Sequence, residues 1–212
     1  MSEPITLEVF SDYVCPWCYL GDNRVKQLRA NYDVRIKLVH FPLHPETPAE
    51  GRTLADMFGV GDDEIAAKNA RMQGLMQAEG LSFKDRSHTY NSRLAQEIGK
   101  WAETQPGGEA IHDKFFEAYF VEQRNIGDVA VILDIVAKAG LDVDAARGVL
   151  EQRTFKDAVD EDWAKSQQYG VTGVPTFVGA GPDGQLHGLV GAQPYEGLEQ
   201  LMQVMGAQKL ES

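Results

Sequence analysis

The residues best suited to chemistry are the two cysteines of the chain, which stand three positions apart in Cys15-Pro16-Trp17-Cys18. A strand pattern ends before them and a helix pattern follows, so Cys15 is expected at a helix N-terminus. The unpaired backbone N–H groups and the helix dipole favour a thiolate at such a position. We therefore predict that Cys15 is the attacking sulfur. Cys18, one turn further along and more buried, is expected to resolve a mixed disulfide formed on Cys15.

The residues around the sulfurs suit this arrangement. Pro16 fits the first helical position, where φ is already helical and no N–H is needed. Trp17 lies between the sulfurs and is expected to tune substrate access and redox poise, although it is also typical of an exposed aromatic cap. Asp12, three residues before Cys15, either relays a proton or ends the strand, and the sequence leaves both roles open.

Zinc binding and a purely structural disulfide are the competing interpretations of the cysteine pair. Zinc normally takes four ligands, and the sequence has no second CxxC and no helical HxxxH. His40 and His44 are four apart, but Pro42 separates them in a strand-to-loop segment. A disulfide across so short a loop adds little stability. The pattern favours a redox pair, and we predict no metal.

The elements that must position the cysteines are found at the two ends of the chain. Alternating apolar residues predict strands over 5–10 and 34–41, and the helix between them makes a right-handed β-α-β unit. Near the C-terminus, a helix ends at Gly170, a strand begins at Pro175, and a hairpin leads to residues 186–190. A final helix is predicted from Pro194.

The middle of the chain has helical periodicity. We therefore predict a sheet domain from residues 1–44 and 151–212, interrupted by an all-helical subdomain at 45–150. Helices are predicted over 62–79, 89–103, 109–122, 129–138 and 142–150. Aromatic residues of these helices are expected to form the subdomain core: Trp101, Phe115, Phe116, Tyr119 and Phe120. His88 and His112 are expected to be solvated helix residues.

The bulk composition limits the possible partners. The chain has 212 residues and a formal net charge of −12 at pH 7, which disfavours binding to nucleic acid and to anionic membranes. No apolar run approaches the ~20 residues of a membrane span. The N-terminus lacks the pattern of a secretory signal, so we expect a cytoplasmic protein. An apolar face of the helical subdomain could serve a homodimer.

Three segments carry a family resemblance: VFSDYVCPWCYLG at 9–21, YGVTGVPTFV at 169–178 and VGAQPYE at 190–196. With this order of elements, the chain resembles the DsbA-like thiol oxidoreductases and is most similar to the cytoplasmic FrnE group. The resemblance implies an α/β, thioredoxin-like fold with an inserted all-helical subdomain.

The resemblance also implies that Pro175 is a cis-proline beside the cysteine pair. The backbone of Val174 would then bind an extended peptide or glutathione. The implied function is dithiol–disulfide exchange with protein or small-molecule thiols and disulfides. No bound cofactor is expected, and glutathione is a candidate co-substrate. Related proteins place insertion helices over the active site, so the segment Tyr90–Arg93 is a candidate for lining a groove there.

A second function comes from the same superfamily. Kappa-class glutathione transferases and 2-hydroxychromene-2-carboxylate isomerases share this topology and bind glutathione at the cis-proline. They typically carry serine where this chain has Cys15, and an Asp-containing motif where it reads Gly191-Ala192-Gln193. Both departures favour the redox interpretation. The sequence does not set the direction of electron flow.

Overall fold

Strands and helices alternate at both ends of the chain, and helices dominate between them, in a computed structural model that describes residues 4–210. In chain order the elements are β1 (Ile5–Ser11), α1 (Pro16–Asn31), β2 (Val34–His40), β3 (Arg52–Thr53), α2 (Leu54–Phe58), α3 (Asp62–Ala78), β4 (His88–Thr89), α4 (Arg93–Ala102), α5 (Ala110–Phe120), α6 (Val129–Lys138), α7 (Val143–Gln152), α8 (Lys156–Gln168), β5 (Thr176–Ala180), β6 (Leu186–Val190) and α9 (Tyr195–Met205).

The sheet that carries the cysteine motif has the strand order β2-β1-β5-β6. β1 pairs parallel with β2, which confirms the predicted β-α-β unit. β5 pairs antiparallel with both β1 and β6, so the predicted C-terminal hairpin is also confirmed. The central strand β1 therefore has one neighbour from each end of the chain.

The core of this unit follows from the two-residue period of β1. Leu7 and Val9 point to one face, where residues of α1 and α9, including Leu28 and Met202, are buried against them. Phe10 points to the other face and packs with residues of β2 and β5. Each face of the strand thus buries its own apolar set.

The described chain divides into two compact units, a helical unit at residues 42–161 and a sheet unit formed by the rest. The sequence placed the divisions after residues 44 and 150. Residues 151–161 group instead with the helical unit, because the start of α8 is tied into it. Arg93 donates to the carbonyl of Lys156 and forms an ion pair with Asp160.

The helical unit differs from its prediction between residues 52 and 92. Before the first helix of this unit that the sequence predicted, the chain forms the short helix α2, which Thr53 caps by accepting a hydrogen bond from the N–H of Asp56. The helix predicted from residue 89 begins at Arg93. His88 lies in β4, which pairs antiparallel with β3, so the prediction that it is a helix residue is wrong. The signal was misleading because two-residue strands have no periodicity.

The core of the helical unit contains the predicted aromatic side chains, all of them buried: Trp101, Phe115, Phe116, Tyr119 and Phe120. The unit also buries a charge. Glu97 of α4 is fully buried and accepts hydrogen bonds from Arg93 and from both Nε and Nη2 of Arg153. None of the helices within residues 4–210 is long and apolar enough to cross a bilayer.

Candidate active site

Cys15 is the N-cap residue of α1, as the sequence predicted. Its backbone is extended, with φ −89° and ψ 114°, and Pro16 is the first helical residue. The Cys15 carbonyl accepts from the N–H groups of Cys18 at 3.0 Å and Tyr19 at 3.2 Å, and closes the first turn. The first turn of α1 therefore fixes the backbone of Cys15 on its C-terminal side.

The turn before the helix depends on Asp12, which is only 1% exposed. Its carboxylate accepts from the N–H of Val14 at 3.1 Å, and its carbonyl accepts from the N–H of Cys15 at 3.1 Å. These are the contacts of an Asx-type turn residue. They favour the second of the two roles considered for Asp12, namely ending the strand.

The C-terminal part of the chain brings Val174 and Pro175 to Cys15. The peptide bond between Val174 and Pro175 is cis, as the family resemblance implied. The Cys15 thiol donates to the carbonyl oxygen of Val174, with Sγ 3.5 Å from the oxygen. Gly21 of α1 faces Pro175 so closely that a Cβ there would lie 3.2 Å from Pro175 Cγ. Residues 159 positions apart in sequence thus share one site.

The exposure of the motif is uneven. Cys15 and Cys18 are free thiols and are 3% and 2% exposed, whereas Trp17 between them is 37% exposed and Pro16 is half-buried. Pro175 is buried and Val174 is half-buried. The side chain most available to a partner beside the sulfurs is therefore the indole of Trp17.

The surroundings of Cys18 keep its sulfur protonated. Burial raises the pKa of Cys18 well above its ordinary value, and hydrogen bonding and charge interaction with Cys15 raise it further. The Ser11 hydroxyl and the Asp12 backbone act in the opposite direction by hydrogen bonding to the sulfur, but they do not outweigh burial. Cys18 is thus held as a thiol.

Sequence reasoning missed Arg24, which links α1 to the loop after β6. Its Nη1 donates to the carbonyls of Ala192 at 2.8 Å and Gln193 at 2.5 Å. In the same loop the N–H of Gly191 donates to the Pro175 carbonyl at 2.7 Å. An arginine on a helix carries no signal for a partner so distant in sequence, although the segment 190–196 was already singled out.

The remaining candidates are His40 and the segment Tyr90–Arg93. His40 is buried at the end of β2, with its ring 5.4 Å from that of Tyr13. In the helical unit, the Asn91 amide donates to the carbonyls of Pro45 and Thr47. A groove lined by Tyr90–Arg93 stays a prediction. Within the described ranges, no three His, Cys, Asp or Glu side chains gather as metal ligands would.

Known proteins resemble the chain along nearly its whole length. The uncharacterized protein YwbO of Bacillus subtilis is 27% identical over 181 residues, which cover 82% of this chain and 86% of YwbO. A probable DsbA oxidoreductase from Streptomyces coelicolor has a structure that matches with a TM-score of 0.86 and 26% identity, over 98% of this chain and 93% of that one.

Two more distant structures share the fold. A 2-hydroxychromene-2-carboxylate isomerase matches with a TM-score of 0.71 and 19% identity, over 95% of each chain. The cytosolic disulfide reductase DsbM from Pseudomonas aeruginosa, in a structure with GSH, matches with a TM-score of 0.65 and 19% identity, over 94% of this chain and 100% of that one.

A family model matches most of the chain. It describes a DSBA-like thioredoxin domain and covers residues 6–203, including the cysteine motif, the helical unit and the cis-proline. The α/β fold with its inserted helical unit is the one that this family and the Streptomyces structure share. The chain belongs to the DSBA-like thioredoxin domain family.

Proposed function

We propose that this protein is a dithiol–disulfide oxidoreductase that works through Cys15 and Cys18. The observation that carries the proposal is the asymmetry of the pair at a helix start. Cys15 contacts the Val174 carbonyl beside Pro175, whereas Cys18 is held as a thiol because its surroundings raise its pKa. The family match and the probable DsbA oxidoreductase of Streptomyces coelicolor support the same class of activity.

In the reductive direction, the Cys15 thiolate attacks one sulfur of a substrate disulfide. A Cys15–substrate disulfide forms, and the other substrate sulfur leaves as a thiolate that takes up a proton. Cys18 then loses its proton and attacks Cys15 Sγ, which forms the Cys15–Cys18 disulfide and releases the second substrate thiol. The substrate gains two electrons and the pair loses them, so an external dithiol or two glutathione molecules must reset it.

The oxidative direction runs the same steps backwards. The disulfide form then accepts two electrons from a substrate dithiol. Which direction prevails depends on the redox potential of the pair relative to its surroundings. Removing the buried Cys18 proton is the costly step of the reductive half, because burial disfavours its thiolate.

The substrate is proposed to lie along Val174 and Pro175. Proline has no N–H and Val174 is half-buried, so this backbone can pair with an extended peptide. The exposed Trp17 and the half-buried Pro16 lie next to the sulfurs and are proposed to contact the substrate. Glutathione is proposed as a co-substrate on the same backbone. The structure of DsbM with GSH, which shares the fold, supports this choice.

The alternative is a glutathione-dependent isomerase or transferase. The fold shared with a 2-hydroxychromene-2-carboxylate isomerase supports it. In that case glutathione would occupy the same place, and no sulfur of the protein would enter a disulfide. The cysteine at position 15, where that class typically has serine, favours thiol exchange.

Two single variants distinguish these functions. Wild type, Cys15→Ser and Cys18→Ser are compared in insulin reduction and in glutathione-dependent isomerisation of 2-hydroxychromene-2-carboxylate. Thiol exchange predicts that Cys15→Ser is inactive in insulin reduction, and that Cys18→Ser accumulates a mixed disulfide visible by mass spectrometry. Isomerisation that survives Cys15→Ser, without insulin reduction by the wild type, would establish the alternative.

We also propose a cytoplasmic location and membership of the FrnE group. The cytosolic location named for DsbM is the supporting observation among the structures that share the fold. Fractionation of cells that express the natural protein, with the redox state of Cys15 and Cys18 trapped by alkylation, tests the location. Recovery of the protein in an oxidising compartment would contradict it.

A further inference from the structure

A small cavity in the helical unit contains an arginine that is not paired with an acid. The cavity has a volume of about 240 Å³ and is lined by Arg86, Ser87, His88, Tyr90, Tyr119 and Gln123. This volume is below the range of drug-sized ligand sites, which begins near ~300 Å³. The cavity is of a size for a small organic acid or a phosphate.

Aromatic rings and one hydroxyl hold the guanidinium of Arg86 in place. Its Cζ lies 5.1 Å from the ring centre of Phe120, 5.5 Å from that of Tyr119 and 5.8 Å from that of Phe83. Arg86 Nη1 donates to the Tyr119 hydroxyl at 3.0 Å, and that hydroxyl donates to the His88 carbonyl at 3.0 Å. The cation is therefore preorganised before any ligand arrives.

The charge of Arg86 is not neutralised within the part of the chain that the structure describes. No carboxylate of residues 4–210 lies within ion-pair distance of it, and its Nε is buried without a hydrogen-bond acceptor. Arg93 and Arg153 of the same unit both pair with Glu97. A buried donor without a partner costs free energy. A shortage of acidic residues does not explain why Arg86 is left without one, because the formal net charge of the chain is −12.

A neighbouring histidine responds to this charge. Burial lowers the pKa of His44 most, and the positive charges of Arg52 and Arg86 lower it further, against an opposing effect of Glu46. An anion seated on Arg86 would cancel part of the field at His44. The imidazole of His44 is thus a natural reporter of occupancy.

We propose that this cavity is a binding site for a small oxyanion, a carboxylate or a phosphate, with Arg86 as its main ligand. Guanidinium donors lie in a plane that matches such oxyanions at two points. Since Tyr119 takes up only Nη1, other donors of Arg86 remain.

The other lining residues extend the site beyond the cation. The Ser87 hydroxyl lies 2.9 Å from His88 Nδ1, and the rings of His88 and Tyr90 stack at 6.4 Å with an angle of 13°. They offer polar groups and a flat face to the rest of a bound molecule. This site does not rest on the proposed redox function and goes beyond it.

The test measures binding of inorganic phosphate and of acetate by NMR, at constant ionic strength set with chloride. Wild type, Arg86→Gln and the control Arg71→Gln are compared, since Arg71 is an exposed arginine of the same unit. We expect saturable shifts of the His88 and Tyr90 resonances in wild type and control. Arg86→Gln should bind about tenfold more weakly or worse, as for the loss of one hydrogen bond to a charged group.

The His44 titration reads out binding in the wild-type protein itself. In wild type, the pKa of His44 should be higher in phosphate or acetate than in chloride, with the resonance assigned by His44→Asn. The anion that gives the larger increase in the pKa of His44 is the preferred oxyanion. Unsaturable shifts in wild type, equal shifts in Arg86→Gln, or a His44 pKa that does not respond to either anion would overturn the proposal.

Discussion

Arg24→Ala tests whether thiol exchange requires the loop after β6 to be held against α1. Arg24 Nη1 donates to Ala192 and Gln193, and the same loop donates from Gly191 to the Pro175 carbonyl. The substitution removes the first two contacts and leaves the third. We expect the loop to become mobile and the backbone at Pro175 to lose part of its support.

The size of the effect follows from these two contacts. A hydrogen bond from a charged donor contributes about 1.5–3 kcal/mol. Both bonds come from one nitrogen, and the carbonyls are only partly buried, so water can replace it. We therefore take the low end, about 1.5 kcal/mol, which is roughly a tenfold change in the ratio of held to released loop. If exchange needs the held loop and the released form prevails in Arg24→Ala, kcat/KM falls by about the same factor.

The assay is kcat/KM for reduction of a peptide disulfide, measured together with the thermal midpoint. Arg29→Ala is the matched control, since Arg29 is exposed in the last turn of the same helix. Arg24→Lys keeps the charge but loses the planar donors, and is expected to fall between wild type and Arg24→Ala.

The reasoning is refuted if Arg24→Ala keeps kcat/KM within about twofold of wild type while its folding is intact. It is also refuted if Arg29→Ala loses as much, because the effect would then belong to the helix charge rather than to the loop.

Three further predictions concern the sulfurs, the buried ion pair and the packing at the site. In Cys15→Ser, the remaining Cys18 should be alkylated by iodoacetamide only slowly at neutral pH and faster at alkaline pH, because burial raises its pKa; rapid neutral alkylation would contradict the burial. Glu97→Gln should lower the free energy of unfolding in urea by about 2–3 kcal/mol. This is less than the usual cost of breaking a buried ion pair, because the Arg153 side chain is 42% exposed and water can solvate it. Gly21→Ala should lower kcat/KM and cost about 1 kcal/mol of stability, since its Cβ would press on the Pro175 ring; unchanged kinetics would show that this contact gives way freely.

The pH dependence of the Glu97 contribution has a definite sign. Burial raises the pKa of Glu97, but hydrogen bonds from Arg153 and Arg93 outweigh it, so the net pKa lies below 4.5. A carboxyl with a lowered folded-state pKa stabilises the protein above its unfolded value and loses this contribution as the pH falls through the folded value. The urea midpoints of wild type and Glu97→Gln should therefore converge below pH 4.5, and a constant difference would contradict the assignment.

Periodicity and capping residues predicted most of the regular structure. The alternation at 5–10 and 34–41 identified β1 and β2, and the helix predicted over 129–138 is α6, capped by Asp128, which accepts from the N–H groups of Ala130 and Val131. The start of α1 at the cysteine motif was predictable because proline and the change of period coincide there. Local signals of this kind are contained within a few residues.

Contacts between distant segments were not predictable in the same way. Nothing in the sequence pairs Arg24 with Ala192, or Arg153 with the fully buried Glu97. The helical pattern of 89–103 identified Trp101 as a core residue but gave no sign that the same helix carries a buried carboxylate, Glu97. The contact of Cys15 with Val174 could be expected only through the family resemblance, because periodicity does not define tertiary neighbours.

β1 lies between β2 and β5, which are synthesised at very different times. This order of synthesis governs when a newly made chain acquires its active site. β2 is synthesised soon after β1, whereas β5, the other neighbour of β1, which pairs with it at positions such as Leu7 with Gly179, is synthesised much later. The helical unit is one continuous segment, residues 42–161. Its synthesis is therefore complete before that of β5 begins.

The cysteine pair accordingly leaves the ribosome long before the backbone that it contacts. At translation rates of about 5–20 residues per second, Val174 follows Cys15 by on the order of ten seconds or more. During that interval the sheet lacks β5 and α9, whose residues bury Leu7 and Val9. The native core does not yet protect the thiols. They are therefore exposed to the redox environment of the compartment before the protein can catalyse thiol exchange there.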